Sequence, residues 1–107
     1  MSKVKNQAEQ DQEIETLVKP PQFYVVKLLN DHFTTMEFVI HVLKKFFHHD
    51  EESAYKIMLQ VHQDGSGVCG VYSFDIAQTK ANQVIQEARQ NKFPLQCVVE
   101  PQEGEND

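Results

Sequence analysis

Hydrophobic positions along the chain fall into blocks whose spacing changes from near-continuous to helical and back. Phe23 to Leu29 is β-branched and aromatic enough to be a strand, and its near-continuous apolarity predicts burial on both faces. Asn30-Asp31-His32 then interrupts the run with three polar side chains. A helix start follows at once. Thr34-Thr35-Met36-Glu37 fits a capping box, with Thr34 as N-cap and Glu37 reaching back to its N–H. From Thr35 to His49, apolar residues recur at Met36, Val39/Ile40, Leu43 and Phe46/Phe47, a core-facing stripe that Phe38 and Val42 widen.

Asp50 is suited to N-cap a second helix, with Glu51 and Glu52 favoured by the dipole in its first turn. Its inner face is Ala54, Ile57/Met58 and Val61, and Asp64-Gly65-Ser66-Gly67 ends it with turn chemistry. Val68 to Phe74 reads as a strand. Asp75 with Gln78 repeats the capping-box pattern and opens a third helix, inward at Ala77, Ala81, Val84, Ile85 and Ala88 and ended by Asn91 and Pro94. Leu95 to Val99 is a last short strand. The order β-α-α-β-α-β predicts an α+β two-layer sandwich, because three short strands need a helical layer over one face.

Charge refines the boundaries more than the fold. The net charge of −6 divides into −1 up to Lys19, −1 from Pro20 to Val99, and −4 over the last residues. Residues 1–19 are polar and read as a disordered extension, closed by Pro20-Pro21. Residues 20–99 are the folded core, and residues 100–107 an acidic disordered tail. No basic cluster exceeds Lys44-Lys45, so no nucleic-acid surface is expected. No apolar run approaches ~20 residues, which argues against a membrane span. With no secretory h-region, the cytoplasm is the expected compartment. Cys69 and Cys97 lie in apolar, strand-like segments and read as reduced core residues.

The chemistry concentrates where the first strand meets the first helix. A polar corner at Asn30-Asp31-His32 beside Met36 sets acceptors against apolar surface, which suits a ligand with an apolar end and a donor-bearing end. Met58 and His62 are four residues apart on one face of the second helix. His62 has two readings: a half-buried side chain satisfying a backbone carbonyl, or a ligand-binding imidazole beside an apolar hole. His48-His49-Asp50 is too compact for one tetrahedral metal site, and no nucleophile elbow or phosphate loop exists. Neither an enzyme nor a cofactor is expected.

The blocks KPPQFYVVKLLNDHFTTMEFVIHVLKKFF, MLQVH, GVCGVYSFDIAQTKA and FPLQC resemble, in order and spacing, the bacterial ClpS family over about Pro20 to Val99. Members are adaptors that bring N-end-rule (N-degron) substrates to the AAA+ unfoldase ClpA, partner of the peptidase ClpP. The resemblance implies a three-stranded antiparallel sheet packed against three helices. It also implies that Asn30 and His62, with Asp31 and His32 completing the rim, hold the free α-amino group of a protein. Leu28, Thr34, Met36, Val39, Met58, Val61 and Leu95 then line a pocket for its first side chain, expected to be Leu, Phe, Tyr or Trp. Met36 takes the position of a gate against β-branched residues. Asp75, Thr79 and Lys80 take the position that meets the N-terminal domain of the unfoldase.

One position departs from the family pattern: His32 stands where a second Asp usually follows the Asn-Asp pair. A neutral imidazole gives up the carboxylate's attraction for a cationic amine, and a protonated one repels it, so weaker or more pH-sensitive binding is expected. The alternative reading is a protein-interaction module of similar fold in which Asn30 and His62 are only structural.

Overall fold

The protein is described by a computed structural model covering residues 20–103. Its elements are β1 (Tyr24–Leu29), α1 (Met36–Phe47), α2 (Glu51–Asp64), β2 (Ser66–Tyr72), α3 (Phe74–Gln90) and β3 (Gln96–Pro101). The strands form one antiparallel sheet in the order β2-β1-β3, with the most apolar strand in the centre. The three helices cover one of its faces, which is the α+β two-layer arrangement expected. The anticipated extension and the last residues of the anticipated tail lie outside the described residues.

Helices on one side only give β1 a single buried face. Val26 and Leu28 are 0% exposed, whereas Val25, Lys27 and Leu29 are half-buried, so burial on both faces does not hold. Lys27 instead crosses the open face to Glu100 at 2.9 Å. Against β2 the register shifts between Val26 and Lys27, with Cys69 as the extra residue of a bulge. The third strand outruns its composition. Gln96–Pro101 pairs with β1, and Gln102 N–H donates to Phe23 O at 2.8 Å, so Glu100 and Pro101 belong to the sheet and not to a tail. Pro101 fits there because an edge strand leaves one side without a partner.

Local signals set the helix ends. Thr35, not Thr34, caps α1, its hydroxyl accepting from Phe38 N–H at 3.1 Å. His48, in the left-handed region at φ 60, closes the helix with its N–H on Leu43 O. Asp50 caps α2 as expected, accepting from Ser53 N–H at 2.8 Å. The third helix begins one residue before Asp75, after Ser73, and makes no side-chain cap bond. Its buried stripe of Ala77, Ala81, Val84 and Ala88 is mostly small, which lets the helix lie close to the core.

Phe38, Val39, Val42, Leu43 and Phe47 of α1 and Ala54, Met58 and Val61 of α2 complete the core over the sheet. Each large aliphatic or aromatic side chain buried this way contributes about 1.5–3 kcal/mol. On the outside, Glu87 of α3 bridges His41 at 2.6 Å and Lys45 at 3.0 Å, tying α3 to α1. His49 donates from Nε2 to Cys69 O at 2.7 Å, and in that role fixes the α1–α2 link over the bulge. Burial pushes the Cys69 thiol far up, aided by neighbouring Cys97, and Cys97 up to about 12, so both stay protonated and inert.

Candidate functional site

The corner between β1 and α1 is organised by one carboxylate. Asp31 Oδ1 accepts from Phe33 N–H at 2.8 Å and Thr34 N–H at 2.7 Å, and Oδ2 accepts from the Thr34 hydroxyl at 2.8 Å. An Asp side chain reaching the N–H groups two and three residues on closes a tight turn without a backbone ladder. Partial burial pushes the carboxyl pKa up. The bonds from Thr34 N–H, Phe33 N–H and the Thr34 hydroxyl, with His32 nearby, outweigh it and hold the group below the usual carboxylate range. Thr34 is therefore committed to Asp31, which is why the cap passes to Thr35.

A second tie fixes where the corner sits. Asn30 N–H donates to Gly65 O at 2.9 Å. Gly65 ends α2 at φ 93, a left-handed conformation that glycine adopts freely, with its N–H on Val61 O. The start of α1 and the end of α2 are thus held side by side. Close approach of α2 to β2 does the rest. A Cβ on Gly67 would stand 2.8 Å from Val61 Cγ2 and 3.2 Å from Ile57 O, so only glycine lets α2 settle this deep.

Between these elements lies a cavity of about 280 Å³. Asn30, Asp31, His32 and Thr34 line it from the corner, Met36 and Val39 from α1, and Met58, Val61 and His62 from α2. Its floor is apolar and buried: Val39 is 6% exposed, Met58 3% and Val61 3%. Met36, half out in water, stands where the cavity opens, although the spacing put it at the head of the buried stripe. Asn30, His32 and His62 are exposed, and among the described residues none of their side chains makes a hydrogen bond. A small apolar hole with a rim of unengaged acceptors accommodates one apolar side chain and one polar, donor-bearing group.

Nine residues expected from the sequence meet in this cavity, and two do not. Leu28 and Leu95 are 0% and 1% exposed and belong to the core, not to the cavity's lining. The central strand turns Leu28 into the layer under the helices, opposite Gly67 and Cys97. The carbonyl-satisfying role weighed for His62 falls to His49 instead. Sequence reasoning missed the positioning parts: Thr35 as cap, and Gly67 as the contact that seats α2. A glycine at the edge of a strand pattern was the available signal for the latter.

Asp75, Thr79 and Lys80 sit on α3, away from the cavity lining, and they differ among themselves. Asp75 and Thr79 are exposed. Lys80 is half-buried: its ammonium donates to Phe46 O at 2.7 Å, near the end of α1, and lies 5.3 Å from the Tyr72 ring centroid. A cation on the last carbonyls of a helix is favoured by the dipole, so Lys80 serves the α1–α3 packing.

Comparison with known proteins gives consistent matches. The family model for the ATP-dependent Clp protease adaptor protein ClpS matches residues 19–98. An adapter protein ClpS from Variovorax paradoxus is 60% identical over 82 residues, covering 77% of this chain and 69% of the relative. One from Burkholderia mallei is 57% identical over 86 residues, covering 80% and 83%. Among solved structures, Agrobacterium tumefaciens ClpS2 bound to L-phenylalaninamide is 40% identical with a TM-score of 0.76, covering 78% of this chain and all of that one.

Proposed function

The chain belongs to the ATP-dependent Clp protease adaptor ClpS family, and from that premise we propose that it is a cytoplasmic adaptor and not an enzyme. It captures proteins by a free N-terminus bearing Leu, Phe, Tyr or Trp and delivers them to a Clp protease. The observation that carries this reading is the cavity with an apolar floor and a rim of unengaged acceptors. The similar protein bound to phenylalaninamide supports it, since that ligand unites a free amine with an aromatic side chain. Two buried, unpaired cysteines suit a reducing compartment.

The physics matches such a ligand. An α-amino group has a pKa near ~7.7, so much of it is cationic at neutral pH and it needs acceptors. The Asn30 carbonyl oxygen and a neutral His62 nitrogen supply them, with the ionised Asp31 adding negative charge from the corner. Burying a Leu or Phe side chain against Val39, Met58 and Val61 contributes roughly 1.5–3 kcal/mol. Charge-assisted hydrogen bonds add about 1.5–3 kcal/mol each before ordering costs. Together these gross contributions come to about 4.5–9 kcal/mol, against which the cost of association is set. An internal Leu brings no amine and strands the acceptors, so chain ends are selected. Met36 at the opening disfavours a branch at Cβ.

Delivery uses a separate surface. Asp75 and Thr79 on the first turns of α3, flanked by Phe74 and Ile76 at 50% exposure each, are the proposed contact with the N-terminal domain of ClpA. Lys80 acts there chiefly by holding α3 against α1.

Fluorescence anisotropy of a labelled Phe-first peptide, with acetylated and Val-first controls, tests the reading. Micromolar binding lost on acetylation and weak for Val is expected. Equal binding of the acetylated peptide would exclude the amine clamp, and equal binding of the Val peptide would exclude the Met36 gate.

A further inference from the structure

The outer face of the α1–α2 hairpin carries an apolar stripe that runs away from the cavity. The hairpin is antiparallel: Met36 meets His62 around the cavity, and Lys44 meets Glu51 at 2.6 Å at the other end. Between these ends Met36 and Ile40 stand four residues apart on α1, and Tyr55, Leu59 and His62 recur at intervals of four and three on α2. Each set therefore lies along one face of its helix. Met36 and Tyr55 are about half in water, 48% and 51%, while Ile40 and Leu59 are partly covered. Lys44 and Glu51 neutralise each other, so what the stripe offers is apolar contact and not a field.

We propose that this stripe holds residues two to four of the captured N-terminal segment, and that Tyr55 is a specificity-determining residue favouring apolar side chains there. The inference rests on the N-terminal capture reading. An amine held between Asn30 and His62, with Asp31 beside it, lies where the head of α1 meets the end of α2, and the first side chain sits on the Met58–Val61 floor. In this proposal the next residues leave over the hairpin, whose residues Met36 and His62 themselves line the cavity. The stripe is continuous with the cavity at both Met36 and His62. From Met36 to Lys44 the helix rises roughly 12 Å, the reach of about four extended residues. A tyrosine on this path presents a rigid apolar face at low entropic cost while its hydroxyl stays hydrated.

The test compares three ligands by isothermal titration calorimetry: L-phenylalaninamide, which fills the cavity alone, and the amidated peptides Phe-Leu-Leu-Gly and Phe-Ser-Ser-Gly. The natural protein is expected to bind the Leu peptide about fivefold more tightly than the Ser peptide, roughly 1 kcal/mol. In Tyr55→Ser the two affinities become equal, in Tyr55→Phe the preference stays, and phenylalaninamide binds all three proteins alike. Equal affinities in the natural protein, or a preference untouched by Tyr55→Ser, overturn the proposal while leaving capture intact. Loss of phenylalaninamide binding in Tyr55→Ser also overturns it, since the effect would then lie in the cavity. No phenylalaninamide binding by the natural protein would overturn the capture reading and this inference with it.

Discussion

Replacing Asp31 by Ala or by Asn separates the corner's shape from its charge. The carboxylate takes three hydrogen bonds, from Phe33 N–H, Thr34 N–H and the Thr34 hydroxyl. A shielded hydrogen bond to an ionised acceptor contributes about 1.5–3 kcal/mol, and exposure at this surface turn reduces each to about 0.5–1 kcal/mol. Asp31→Ala removes all three and is expected to cost about 2 kcal/mol, a fall in Tm of roughly 10 °C. Asp31→Asn keeps one acceptor oxygen for the N–H groups and is expected to cost about 1 kcal/mol or less. The carboxyl pKa is depressed in the folded protein, burial being outweighed by bonds from Thr34 and Phe33. Its stabilisation is thus complete above the unfolded-state value near ~3.9 and fades as pH falls through the lower folded value. Urea unfolding of the three proteins at neutral and acid pH reads this directly, with the gap to Asp31→Asn closing below about pH 4. Phenylalaninamide titration should report a loss of at least about tenfold for Asp31→Ala, about 1.4 kcal/mol, because Asn30 and His32 lose their fixed turn. An Asp31→Ala protein with unchanged midpoint and unchanged pH dependence would mean that the turn forms without the carboxylate.

Two further substitutions probe the rim and the seat of the cavity. His32→Asp is expected to tighten binding of a Phe-first peptide, because a carboxylate at the rim attracts the cationic amine and an imidazole does not; identical affinities would remove His32 from the account. Gly67→Ala sets a Cβ 2.8 Å from Val61 Cγ2 and 3.2 Å from Ile57 O. Overpacking of this kind costs about 1–3 kcal/mol and moves the α2 wall, so both the urea midpoint and phenylalaninamide affinity should fall; if neither changes, α2 is not seated by that contact.

Much of this architecture is legible in the chain because its periods are strong. The spacing of Val39, Val42, Leu43 and Phe47, the Asp50 cap and the glycine at position 65 identify α1 and α2 and the turn after them. Nine of the residues that meet in the cavity were accessible from motif and resemblance, since they cluster at one helix start and one helix end. Errors arose where two local solutions compete. Thr34 and Thr35 are both competent caps, and only the turn's demand that Asp31 engage Thr34 decides between them. Leu28 and Val26 look alike in sequence to Val25 and Leu29, and an apolar run cannot say which face will be covered.

By itself, then, the sequence determines the elements, their order, the amphipathic faces and the polar corner beside Met36, because these depend on neighbours within a few residues. Tertiary structure alone decides what crosses between elements. It sets α2 down onto Gly67, joins Asn30 to Gly65, and thereby brings His62 across from Met36 to form one cavity. It also withdraws Leu28 and Leu95 into the core and turns Lys80 onto the end of α1. These outcomes depend on distances between residues far apart in the chain, set by close packing across the two layers, and no local pattern encodes them.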